Sequence, residues 1–248
     1  MSLFFVLPEN VDEVKSIITI SGEEARHIAK SLRHKENDEI FIADGIRNKY
    51  HVRIKKITNN SIICEIIDKN KGPLKHSSLK ITLAQAILKK NKMDFVIQKA
   101  TELGIHDIIP FTSSRTIPII GKNNIEKKRE RWQKIAYEAS KQSERMHIPK
   151  IHTIISLNDL LKQSNHYDLS IVFWEKENSL NLKELLQRET NHNKIVYFIG
   201  PEGGFSKDEI DKAEKENALP VSMGKTIIKS ETASIFAISV FNYHYFTK

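Results

Sequence analysis

The chain has one cysteine in 248 residues, which leaves no intrachain disulfide and no cysteine-cluster metal site. That residue, Cys64 in "SIICEII", reads as a buried strand position. No apolar run approaches the roughly 20 residues that a membrane helix needs. The opening "MSLFFVLPENVDEV" has no basic lead and no cleavage-like site, so no signal peptide is expected and the cytoplasm is the default compartment. The ten histidines are scattered, with no H-E-x-x-H pattern, and no metal is expected. A G-x-S-x-G elbow, a G-x-G-x-x-G fingerprint and a G-x-x-x-x-G-K-[ST] loop are all missing. Repeats and low-complexity tracts are absent too.

What is present describes a folded, basic protein. Hydrophobic residues make up 40% and charged residues 28%, the balance of an ordinary globular chain. The net charge of +8 favours polyanionic partners, because displaced counterions drive binding to a phosphate backbone.

The pattern along the chain changes once. The first part is β-rich: "SIITI", "EIFIAD", "YHVRIKKI" and "SIICEII" are short β-branched runs between turn residues. Among them "SGEEARHIAKSL" reads as a helix, with Ser21 and Glu24 at capping-box spacing. Lys, Asn, Gly, Pro and Ser then gather in residues 68–78, and the domain boundary is placed near Pro73, giving domains 1–72 and 73–248. Beyond it strands alternate with longer helices. "KITLAQAIL", "HDIIPF", "LSIVFW" and "KIVYFIG" are strands, the last two apolar on both faces as in a covered parallel sheet. Met93, Val96, Ile97 and Ala100 fall at helical spacing before a stop at Gly104. A basic helix is expected over Lys127–Arg145, with Trp132, Ile135, Ala136 and Ala139 on one face. The last helix, "TASIFAISVFNYHYF", is apolar nearly all round and should be buried against the sheet or a second subunit. The expected fold class is α/β, an open sheet that binds ligands at the carboxyl ends of its strands.

Two strand ends draw notice. "FIGPEGGFSKDEI" puts Gly200, Gly203 and Gly204, free to take positive φ, after an apolar strand, and Ser206 with Glu209 then starts a helix. It is either a tight turn or the floor of a ligand site. "LPVSMGKTIIKSETASIFA" repeats the arrangement around Gly224, and the two loops could wall one cleft. Glu231 and Thr232 directly precede the apolar helix, where they cap it, face a ligand, or do both. His27 and His34, seven apart, could share a helix face with Arg26, Lys30 and Arg33, either solvated or touching RNA.

The segments "KMDFVIQKATELGIHDIIPFTSSRT", "EASKQSERMHIPKI", "FIGPEGGFSKDEI" and "MGKTIIKSETASIFA" occur in the order and spacing of one family. Together they resemble the RsmE-type 16S ribosomal RNA (uracil-N3) methyltransferases of the SPOUT superfamily. "ARHIAKSLRHKENDEIFIADG" is similar to that family's PUA-like RNA-binding domain, a small β-rich barrel. The resemblance covers essentially the whole chain.

It implies a C-terminal open parallel sheet with a deep trefoil knot, a feature almost absent from proteins at large. It also implies S-adenosylmethionine as cofactor, a homodimer, and small-subunit ribosomal RNA or the assembled small subunit as substrate. Carried over by position, the cofactor residues are Ile199, Gly200, Gly203, Gly204, Met223, Gly224, Ile227, Ile228, Thr232 and Ala233, with Phe173 to Glu175 as a weaker candidate. Arg115, Arg145 and Glu231 are the candidate catalytic residues, and Arg26, His27, Arg33, Gln142 and Lys229 the candidate RNA contacts. The family places an arginine where this chain has Lys229, which keeps the charge but loses the bidentate fork. A catalytically idle RNA-binding factor and an enzyme acting on another RNA are the alternative readings.

Overall fold

The computed structural model describes residues 3–71, 79–117, 121–188 and 192–246. Pro73 and most of the expected linker around it lie outside the described residues. The chain forms two compact units, Met1–Lys75 with Ser140–Ile148, and His76–Ala139 with Pro149–Lys248.

The first unit is a six-stranded sheet. Its strands are β1 (Leu3–Phe5), β2 (Val11–Asp12), β3 (Ile17–Ser21), β4 (Glu39–Ala43), β5 (Asn48–Ile57) and β6 (Ser61–Lys71), paired in the order β1-β4-β5-β6-β3-β2. Every pairing is antiparallel except β1 with β4. Alternate positions of β3, β4 and β5 are buried, and Cys64 on β6 is one of them, its thiol pushed up to about 12 by that burial. The four strands read from the sequence are all present; the short β1 and β2 had no periodic signal.

The expected N-terminal helix is reshaped. Helix α1 runs only over Gly22–Arg26, and a π-turn follows over His27–Ser31. The Ser21–Glu24 capping box does not form: Ser21 is the last residue of β3, opposite Ser61, and its side chain caps nothing. Glu24 instead accepts both its bonds from Lys141 Nζ, at 3.0 and 3.2 Å. His34 lies beyond the turn, with its Nδ1 3.1 Å from Asp38 Oδ2, so it shares no helix face with His27.

Between β4 and β5 the buried Asp44 organises a turn. Its Oδ1 accepts from the N–H groups of Ile46, Arg47 and Asn48 at 2.9, 2.8 and 3.0 Å, and Oδ2 accepts from Asn48 Nδ2 at 2.6 Å. Segment 140–148 is tied to this unit by Lys141 to Glu24, by Lys49 to Glu144 at 3.3 Å, and by the Ile148 N–H on the Gly45 carbonyl at 3.1 Å.

The second unit is the α/β domain. Its parallel sheet contains β7 (Lys80–Ala86), β8 (Asp107–Thr112), β9 (Lys150–Ile151), β10 (Ile155–Ser156), β11 (Leu169–Phe173), β12 (Lys194–Ile199) and β13 (Leu219–Val221). The order is β10-β8-β7-β12-β11-β13, with β9 also paired to β8. Five of the six β12 residues and all of β11 are buried, because helices cover both faces. The helices are α2 (Lys92–Glu102), α3 (Lys122–Gln142), α4 (Leu157–Leu161), α5 (Leu182–Arg188), α6 (Lys207–Lys215) and α7 (Ser230–Phe246).

Met93, Val96, Ile97 and Ala100 of α2 are buried as their spacing predicts, and Gly104 ends the helix turn at φ +95°. Trp132, Ala136 and Ala139 of α3 are buried, while Ile135 is half-buried. Helix α3 stops at Gln142, short of the expected Arg145, and Glu144 turns the chain at φ +52°. Helix α7 starts at Ser230, so Glu231 and Thr232 lie inside its first turn rather than before it. Ala233, Ala237, Ile238 and Phe241 of α7 are buried, but Phe236 and Tyr243 remain 41% and 76% exposed on its other side. No helix among the described residues is long and apolar enough to cross a membrane.

Burial works against a charged Asp44, but the N–H groups of Arg47, Ile46 and Asn48 outweigh it and hold the carboxyl below its usual 3.8. A depressed carboxyl contributes stability that is complete above the usual value and is lost as pH falls through the lowered one. Asp44→Ala should cost about 1–3 kcal/mol near neutral pH. Urea unfolding followed from pH 7 down to 3 should show that margin shrinking, with the variant the flatter of the two.

Candidate functional site: a cleft between two glycine loops

At the carboxyl ends of β11, β12 and β13 the second unit opens into a cleft of about 530 Å³. One wall is the run Ile199–Phe205 after β12, the other is Met223–Ser230 with Ala233, and Phe173, Trp174 and Glu175 close a side. In open α/β sheets this is where ligands bind, beside the point where the strand order reverses, here between β7 and β12.

The first loop is held on several sides. Arg115 Nη1 donates to the Gly203 carbonyl at 2.9 Å and lies 3.5 Å from that of Phe205. Glu202 Oε1 accepts from the Lys89 N–H at 3.3 Å and from Lys92 Nζ at 3.4 Å. The buried Glu209 completes the expected capping box with Ser206, and its Oε1 reaches out of α6 to accept from the Ser114 N–H at 2.8 Å. Phe205 is buried and stacks on Phe111 of β8, with ring centroids 6.2 Å apart.

The glycines divide by role. Gly204 takes φ +66° and Gly224 φ +114°, whereas Gly200 and Gly203, equally free to do so, do not adopt positive φ. At Gly204 a Cβ would also sit 2.8 Å from Glu175 Oε1. Gly200 faces the Phe205 ring, where a Cβ would come within 3.2 Å. At Gly203 a Cβ would make only ordinary contact with Arg115, at 3.4 Å. The backbone constraint in this loop therefore falls on Gly204 and not on Gly203.

Charge in the cleft is partly spoken for. Lys92 pairs with Glu202 and with Glu231, both at 3.4 Å. Partial burial opposes charge on Glu202, but its own N–H, that of Lys89 and the Lys92 ammonium hold its carboxyl below the ordinary range. Lys92 is in turn raised: burial lowers it, and the bond to Glu202 and the field of Glu231 more than compensate. Glu175, Lys225 and Lys229 also line the cleft and are exposed.

The cleft gathers Ile199, Gly200, Gly203, Gly204, Met223, Gly224, Ile227, Ile228 and Ala233, together with Lys229, an expected RNA contact. Thr232 is exposed on α7 and does not line it. Glu231 meets it only through Lys92, and Arg115 grips the outside of the first loop. Arg145 and Gln142 belong to segment 140–148 of the first unit, and burial pushes the Arg145 guanidinium down to about 10. Arg26, His27 and Arg33 are all exposed on the first unit, and Arg33 turns the chain at φ +57°. Sequence reasoning missed Lys92 and Ser230. Lys92 looks like an ordinary helix-starting lysine, and its two carboxylate partners are more than 100 positions away.

The family model described as "RNA methyltransferase domain" matches residues 75–242, and that described as "RNA methyltransferase PUA domain" matches residues 20–67. The fold and the cleft thus belong to the class of RNA methyltransferase domains. Among curated relatives, the ribosomal RNA small subunit methyltransferase E of Mesomycoplasma hyopneumoniae is 35% identical over 85% of this chain and 87% of its own. That of Bacillus subtilis is 28% identical over 97% of this chain and 95% of its own. A crystal structure of the Neisseria gonorrhoeae protein of the same name, bound to S-adenosyl methionine, superimposes with a TM-score of 0.82 at 28% identity, covering 98% of this chain and 97% of that one. This chain belongs to the ribosomal RNA small subunit methyltransferase E family.

Gly204→Ala should cost about 1–2 kcal/mol through the left-handed backbone and the crowding by Glu175. Gly203→Ala should stay within about 0.5 kcal/mol. Urea unfolding of the pair measures the difference, and equal losses would show that loop geometry is not what selects glycine at 204.

Proposed function

We propose that this protein methylates N3 of a uridine in small-subunit ribosomal RNA, with S-adenosylmethionine as donor and as a homodimer. The observation that carries the reading is the cleft of two glycine loops at the carboxyl ends of a parallel sheet, in a chain of this family. The residues present suit the cofactor. The glycines of both loops let backbone groups reach an adenosine, and the volume falls within the range of about 300–1,000 Å³ usual for such ligands. Exposed Lys225 and Lys229 suit a carboxylate, and Glu175 suits a cationic group.

Bound S-adenosylmethionine supplies a methyl group already activated by its sulfonium. The chain then has to position the base and manage one proton. The N3–methyl bond forms as the sulfur–methyl bond breaks, and the N3 proton leaves to a base, with charge developing on the uracil oxygens. Arg115 spends one nitrogen on the loop carbonyls, and the rest of its fork has no hydrogen-bond partner among the described residues. Those donors suit a uracil oxygen or a flanking phosphate. The exposed Arg26, His27 and Arg33 supply sequence-independent attraction to the RNA backbone, and Gln142 adds a contact from segment 140–148. The trefoil knot of the resemblance is part of this reading, as is pairing of subunits through the exposed face of α7, where Phe236 and Tyr243 border an apolar groove with Leu182, Leu186 and Val240.

Calorimetry should detect S-adenosylmethionine binding, and transfer of labelled methyl to unmethylated small subunits should yield 3-methyluridine at one nucleotide located by mass spectrometry. No binding at millimolar cofactor, or a methyl group on another atom, would overturn the reading. The double variant Arg26→Ala, Arg33→Ala should weaken RNA binding and reduce the slope of log affinity against log salt by about 2, while leaving cofactor affinity unchanged. Phe236→Glu should convert the dimer to a monomer in sedimentation experiments.

A further inference from the structure

A buried polar cluster lies behind the cleft, against the apolar core beneath α7. Gln85 on β7 is fully buried, and Ser230 and Ser234 reach it from the first turns of α7, buried as well. Burying such groups is costly unless every donor and acceptor is met, and a satisfied set fixes one arrangement. Here the accounting closes. Gln85 Nε2 has two protons: one goes to the Ala86 carbonyl at 3.0 Å, the other to Ser230 Oγ at 3.2 Å. Ser230 thus accepts from Gln85, and its own proton is directed to the Gly200 carbonyl at 2.6 Å. Gln85 Oε1 is bonded by the Ser234 hydroxyl, which also lies 2.9 Å from the Ser230 carbonyl. The buried Tyr197 hydroxyl donates to the Ser234 carbonyl at 3.2 Å.

The end of this relay matters most. The recorded pairing of β12 with β7 ends at Ile199 opposite Gln85, so Gly200 is the first residue past it and the first of the glycine loop. Ser230 is the first residue of α7 and the last of the second loop. One hydroxyl therefore ties together the two walls of the cleft. Three glycines in five residues make the first loop costly to order, and fixing its first peptide lowers that cost.

We propose that Ser230, oriented by Gln85, is a positioning residue for the cofactor: its bond to the Gly200 carbonyl sets the spacing of the two loops. The inference rests on the cofactor reading above. Ser230→Ala should raise the dissociation constant and the KM for S-adenosylmethionine about tenfold, with kcat and RNA affinity within about twofold of wild type. Ser230→Thr, which keeps the hydroxyl, should restore most of the affinity. The control is Thr101→Ala, which removes a buried hydroxyl that donates to the Ile97 carbonyl within α2. It should lower the melting temperature without moving the dissociation constant. If Ser230→Ala does not fold, Ser230→Cys, a weak donor of similar shape, must shift affinity in the same direction. Wild-type affinity in a folded Ser230→Ala or Ser230→Cys, or an equal affinity loss in Thr101→Ala, would overturn the inference while the cofactor reading stands. A wild-type chain that binds no S-adenosylmethionine would overturn both.

Discussion

The carbonyls of the loop after β12 are held by side chains from other elements, and the form of the cleft follows from that. Arg115 takes those of Gly203 and Phe205, and Ser230 takes that of Gly200. Glu202 and Glu209 anchor the same stretch to the Lys89 and Ser114 backbone. A loop with three glycines has much conformational freedom to lose. Here that freedom is restricted by contacts from the segments after β7 and β8 and from the start of α7.

The same economy shows in the charges. Lys92 serves Glu202 and Glu231 at once, one on each glycine segment, and so links the first loop to the first turn of α7. The exposed charges of the cleft are then of both signs, Glu175 against Lys225 and Lys229. A zwitterionic ligand with a sulfonium suits such a lining better than a simple anion. Lys229 places a cation at the cleft edge, and the Arg115 guanidinium lies against the first loop.

Two motifs of identical spacing had opposite fates. Ser206 and Glu209 form the capping box that their sequence spells, because Ser206 leaves a loop and is free to cap. Ser21 and Glu24 have the same spacing and do not: Ser21 is bound into β3, and the Glu24 carboxylate is taken by Lys141, 117 positions away. Local spacing states a preference worth about 1 kcal/mol, and a strand pairing or an ion pair readily outweighs it.

The β-rich start, the alternation of strands and helices after it, the buried faces of α2 and α3, and the two glycine loops are all legible in the sequence alone. These features rest on neighbours within a few residues, which periodicity and turn chemistry record. The tertiary packing sets which glycines adopt positive φ, groups segment 140–148 with the first unit, brings the two glycine loops into one cleft with Lys92 and Ser230 in its lining, and puts Gln85 behind Ser230. Gln85 and Ser230 lie 145 positions apart, and a hydrogen bond across that distance leaves no mark on the pattern of either segment. Only the pairing of β7 with β12, and the packing of α7 behind them, brings the two together.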